Sequence, residues 1–111
     1  MYLMAYLTAA HEEEARRIAK VLVEERLAAC VNILGRIESV YHWEGEVQSS
    51  EETAFLAKTT EACFDALAAR VRELHSYTLP CIVALPLARG EPAFLGWIKE
   101  HVRPDPHISV V

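Results

Sequence analysis

The sequence predicts an α+β domain of ferredoxin-like build: a βαββαβ chain with an antiparallel sheet and one additional C-terminal helix. Three observations carry that prediction. Apolar residues switch repeatedly between short runs of strand length and stripes at three- and four-residue steps. The resulting order is strand, helix, strand, strand, helix, strand, helix, and its first six elements match the split βαβ arrangement. No repeat, low-complexity tract or Gly/Ser linker interrupts the 111 residues, so residues 1–111 are expected to form a single domain around one core.

The elements follow in order. Tyr2 to Thr8 is a short apolar run of strand length. Ala15, Ile18, Ala19, Leu22, Val23 and Leu27 then recur at helical steps, the stripe of a helix packed on a sheet. Thr8 or the residues just after it can cap this helix, and Glu12, Glu13 and Glu14 suit its first turn. Ala29 to Ile33 turns apolar and β-branched, as a strand does. Gly35 marks a bulge or bend. Ile37, Tyr41 and Trp43 share one face of the next stretch, Glu44-Gly45 signals a turn, and Thr53 to Thr59 returns, so the region is read as one long hairpin. Phe64, Leu67, Ala68, Val71 and Leu74 mark a second helix that ends near His75-Ser76, with Pro80 too close for it to continue. Cys81 to Leu87 is the fourth strand, its Pro86 suggesting that this end lies at a sheet edge or beyond pairing. Glu91 to about Val102 is the last helix, and the tail from Arg103 to Val111 is expected to be a loop with a short added strand.

Composition narrows the function. A net charge of −5 repels phosphate backbones, and Arg16, Arg17 and Lys20 are offset by the acids before them, so nucleic acid is not expected as a partner. No apolar run approaches the ~20 residues of a membrane span. Cys30, Cys63 and Cys81 are odd in number and contain no C-x-x-C pair, which favours reduced thiols and a cytoplasmic setting. Two helices cover one face of a four-stranded sheet, yet apolar side chains alternate onto both faces. The uncovered face therefore calls for association between copies of the chain.

Five segments carry a family resemblance. They are Arg26-Leu-Ala-Ala-Cys-Val-Asn-Ile33, Ser39-Val-Tyr-His-Trp-Glu-Gly45, Ala57-Lys-Thr-Thr60, Leu74-His-Ser-Tyr-Thr-Leu-Pro80 and Phe94-Leu-Gly-Trp-Ile98. In this order they resemble the CutA divalent-cation-tolerance family over nearly the whole chain. The resemblance implies a stable homotrimer of ferredoxin-like subunits, similar in build to PII-type signalling proteins, and a link to divalent cations with copper foremost. It implies no catalytic reaction. Two departures stand out. The family's loop commonly reads His-Pro-Tyr followed by Pro-Glu, where this chain has Ser76 for that proline and Cys81 for the acid. Leu7 stands where some metal-binding members carry a cysteine.

Copper prefers thiolate and imidazole as Cu(I), and imidazole with carboxylate as Cu(II). His75 and Cys81 flank one short loop and are the candidate metal ligands. The structural alternative makes Cys81 a small buried hydrophobe and His75 a cap on helix carbonyls. Lys58 interrupts an otherwise apolar strand and needs a partner. It either pairs with a carboxylate across the trimer or faces a cleft for a small anionic ligand, with Tyr77, Tyr41 and Trp43 as further cleft residues. Cys30 is read as core, and Cys63 has no assigned role. His42, Glu44 and Glu46 alternate on the hairpin as a weaker metal candidate, and His101 and His107 are uncommitted. No serine lies in a Gly-x-Ser-x-Gly context, no glycine loop cradles phosphate and no carboxylate dyad is present, so an enzyme is not expected. The expected function is divalent-metal tolerance by a copper-binding trimer. The alternatives are a PII-like module binding a small anion and a structural trimer that anchors a partner protein.

Overall fold

The structure, a computed structural model, describes residues 1–104. Seven elements follow one another: β1 (Tyr2–Ala9), α1 (Glu12–Glu24), β2 (Cys30–Trp43), β3 (Glu46–Thr60), α2 (Glu61–Leu74), β4 (Ile82–Pro86) and α3 (Pro92–His101). The four strands form one antiparallel sheet in the order β2-β3-β1-β4. This is the predicted ferredoxin-like order with a third helix added. The proposed tail strand and His107 lie outside the described residues.

One sheet face makes the core. Leu7, Phe55 and Ala57 meet Ile18 and Leu22 of α1 and Leu67 and Val71 of α2, all buried. Ala29, Cys63, Ile98 and Val102 form a second cluster under α3. The alternate residues face the other way. Tyr6 pairs with Leu56 and Val83, and Met4 pairs with Lys58 and Leu85. Val83 and Leu85 are 54% and 62% exposed. Neither α1 nor α2 covers this face.

The hairpin is longer and more continuous than the sequence implied. Cys30 to Ile33 and Ile37 to Trp43 belong to one strand, with Ala29 just before it, and β3 starts at Glu46, well before Thr53. A register shift between Ile33 and Gly35 absorbs one residue, and Gly35 takes φ +119° there. The turn has positive φ at both central residues, 51° at Glu44 and 82° at Gly45. That is the pair of values a type I′ hairpin needs, and it matches the twist of the flanking strands.

Local readings sharpen. The cap of α1 is His11, among the residues just after Thr8: its Nδ1 accepts the Glu14 N–H at 3.1 Å. Leu27 lies past the helix end, where its N–H bonds the Leu22 carbonyl and its side chain drops into the core. Val23 is exposed and belongs to no stripe.

Candidate functional site

The candidate site forms where β4 stops short of β1. Pairing between these strands ends at Leu7↔Ile82. The next β1 carbonyl to need a donor is Thr8 O, and a side chain supplies one: His75 Nε2 lies 2.7 Å from it. The carbonyl can only accept, so Nε2 carries the proton. Nδ1 is then the acceptor, and it takes the Tyr77 N–H at 3.1 Å. These two bonds define a neutral imidazole in the Nε2–H tautomer. The side chain is fully buried. His75 thus extends the ladder beyond the end of β4.

Tyr77 continues from that ring, with the two ring centroids 4.7 Å apart. Its hydroxyl donates to Glu52 Oε2 at 3.1 Å. Burial, with the negative charge of Glu52 next, pushes the Tyr77 phenol up to about 12. The same two causes raise the Cys81 thiol, burial again first. Both groups are therefore neutral near pH 7, and Glu52 is the charge they share. Tyr41 lies on the adjoining strand and donates its hydroxyl to Ser50 at 3.2 Å.

A second carboxylate closes the corner from behind. Glu14 is 3% exposed; Oε1 accepts the Ala10 N–H and Oε2 the Ser76 N–H, each at 3.0 Å. Burial alone would raise its carboxyl, but the Ala10 and Ser76 hydrogen bonds overcome that and hold it below the usual range. Arg17 stands 3.6 Å away and also donates to the Leu74 carbonyl, which closes the end of α2.

The structure brings His75, Tyr77 and Cys81 into one neighbourhood, with Tyr41 beside it. Lys58 and Trp43 stand apart within one chain. Lys58 lies six residues from Glu52 along β3, roughly 20 Å of strand. Its Nζ donates to Asn32 Oδ1 at 2.7 Å and lies 5.6 Å from the Phe94 ring centroid. Trp43 pairs with Glu46 beside the hairpin turn. His42 pairs with Val47 while Glu44 lies in the turn itself, so that trio does not share a strand face. Among the described residues no three His, Cys, Asp or Glu side chains gather as one metal cage. The sequence reading missed Glu14 and Glu52. Glu14 looks like any first-turn acid, and Glu52 like one of two solvated neighbours.

A recess of about 430 Å³ opens beside the corner, lined by His11, Glu12, Arg36, Glu51, Glu52 and Thr53 among others. A larger cleft of about 760 Å³ lies between the start of α2 and the end of α3. Two of its cations, Arg26 and Arg103, are bound to the Glu100 and Glu25 carbonyls, whereas the smaller recess is the one that borders the Glu52 carboxylate.

Comparison with known proteins agrees with this architecture. Residues 3–101 match the model of the family described as CutA1 divalent ion tolerance protein. The divalent-cation tolerance protein CutA of Thermus thermophilus is 53% identical over 95 residues, which cover 86% of this chain and 92% of that protein. The Archaeoglobus fulgidus protein of the same name is 47% identical over 102 residues, covering 92% and 99%. A solved structure of the Thermus protein superposes with a TM-score of 0.91 at 50% identity, over 93% of this chain and all of that one. The A. fulgidus structure, described as a periplasmic divalent cation tolerance protein, gives 0.90 at 47% identity over 93% and 100%. The chain belongs to the CutA1 divalent ion tolerance protein family.

Proposed function

We propose that this protein serves divalent-cation tolerance as a copper-binding homotrimer, and that the ion engages it at the 75–81 loop through His75 and Cys81. The observation that carries the reading is the Glu52 carboxylate acting on both Tyr77 and Cys81 next to the buried imidazole. Imidazole, thiol and carboxylate are the donor types copper selects. One chain presents too few of them for a closed cage among the described residues, which favours a site completed by another copy. The apolar residues of the uncovered sheet face, exposed Val83 and Leu85 with half-buried Met4, Tyr6 and Leu56, support that association. A bound divalent copper would supply charge and Lewis acidity; the chain's own task is to yield donors. Nδ1 of His75 would have to be released by the Tyr77 N–H, and Cys81 would have to lose its proton to serve as a thiolate donor.

Copper titration of the wild type, His75→Ala and Cys81→Ser, read beside the light-scattering mass, tests the proposal. Weaker binding in both variants, at a mass near three subunits, is expected. Unchanged affinity and stoichiometry would overturn the site, and a mass near one subunit would overturn the trimer.

A second reading rests on Lys58. Among the described residues no carboxylate pairs with it, so on the uncovered face it suits either an acid of another copy or a small anionic ligand. Thermal shift with nucleotides separates this from the copper reading, since a ligand of the native state raises the melting point. A cytoplasmic setting fits the three free thiols. Among the described residues no helix is long and apolar enough to cross a membrane, and a rice relative is named as chloroplastic.

A further inference from the structure

Glu14 is the one charged side chain buried among the described residues, and nothing in the proposed cation chemistry uses it. Its backbone N–H is already taken by the His11 cap. In an ordinary capping box the third helical residue returns its carboxylate to the cap itself. Here Oε1 reaches one residue further back, to the Ala10 N–H, which leaves Oε2 free to bond a residue 62 positions away, Ser76. The next amide, Tyr77 N–H, goes to His75 Nδ1, while Nε2–H goes to Thr8 O. Two consecutive loop amides are thus held by two buried side chains, and Glu14 holds the first.

We infer that Glu14 is the positioning residue of the 75–81 loop: its two oxygens tie the β1–α1 corner to Ser76 and so keep the His75 imidazole and the Tyr77 phenol aimed at Thr8 and Glu52. The inference rests on the reading of that loop as the cation site. The residue type follows from the chemistry. Both contacts are backbone N–H donors, and only a carboxylate offers an acceptor to each. Glutamine satisfies one and turns an NH₂ toward the other, and aspartate is a methylene too short to span Ala10 and Ser76 from the same backbone.

The test compares wild type, Glu14→Gln, Glu14→Ala, His75→Ala and Cys81→Ser, first without metal and then with copper alone. Amide hydrogen exchange of Ser76 and Tyr77 and the imidazole nitrogen shifts of His75 report loop position; competition titration reports copper affinity. Glu14→Gln is expected to speed Ser76 exchange by about tenfold or more. It is also expected to blur the single His75 tautomer and, because Nδ1 is freed only when the Tyr77 N–H leaves it, to change copper affinity by about tenfold. Unchanged Ser76 and Tyr77 protection in both Glu14 variants overturns the inference. So does a Glu14→Gln protein with a loosened loop and wild-type copper affinity, if His75→Ala or Cys81→Ser binds copper weakly. If neither of those two variants alters copper binding while Glu14→Gln still frees Ser76, the cation reading falls and the positioning role stands. Glu14→Gln is nearly isosteric and carries the test should Glu14→Ala fail to fold.

Discussion

The corner at the end of β1 and the uncovered face of the sheet use the same strands and solve opposite problems. The corner buries polar groups and answers each with a partner: Thr8 O with His75, Ser76 N–H with Glu14, and Tyr77 N–H with the far side of the same imidazole. The open face leaves Val83, Leu85 and the aromatic Trp43, 47% exposed, in water with no partner among the described residues. A closed polar cluster is specific but brittle, because removing one member leaves another unsatisfied. An apolar face is tolerant within one chain and consequential only between chains.

The contrast predicts a graded set of outcomes. The largest concerns the open face. Leu85→Lys puts a charge into the surface proposed to be buried between copies and is expected to shift the mass from three subunits to one; an unchanged mass in light scattering would remove that face from the interface. Next comes the corner: His75→Ala leaves Thr8 O and Tyr77 N–H without partners inside a cavity and should cost about 2–5 kcal/mol in urea unfolding. A loss under ~1 kcal/mol would mean that water replaces the ring. Glu14 gives a pH signature of about 1–3 kcal/mol. Its carboxyl is held below the ordinary value, so its contribution is complete above about pH 4.5 and fades as the pH falls through the lowered value. Glu14→Gln should flatten that acid limb in a series of melts. Tyr77 runs the other way. Its phenol is raised to about 12, so the stability it lends is complete below about pH 10 and fades above that as the pH climbs toward 12. Tyr77→Phe, losing only the Glu52 bond, should cost about 0.5–1.5 kcal/mol and remove the latest step from the tyrosinate absorbance titration. The smallest effect belongs to the arm, where exposed Val40→Thr should stay within about 0.5 kcal/mol.

Much of the fold was legible because hydrophobic period depends on neighbours a few residues away. Ile18 and Leu22 announce a helix, and Tyr2 to Thr8 a strand, before any tertiary contact is known. Gly45 after Glu44 marked the hairpin turn because few sequences accept two positive φ values in succession. The limits of that reading are equally physical. Ser49 and Ser50 look like loop, yet β3 runs through them because β2 pairs with it residue by residue. The α1 stripe seemed to include Leu27, which instead packs from beyond the helix end.

The candidate site divides in the same way. His75, Tyr77 and Cys81 were visible because they cluster in sequence around a loop that Pro80 forces out of the helix. Which nitrogen of His75 carries a proton was not visible, since that depends on Thr8 O, 67 residues away. Nor was the difference between Glu14 and its neighbours Glu12 and Glu13: three identical side chains in one turn, of which only the third points inward to meet Ser76. By itself the sequence determined the order of elements, the buried stripe and the family, because periodicity and motif spacing are local quantities. Tertiary structure alone decided where β4 ends beside β1, and so which carbonyl lacked a donor and which side chains were drawn in to supply one.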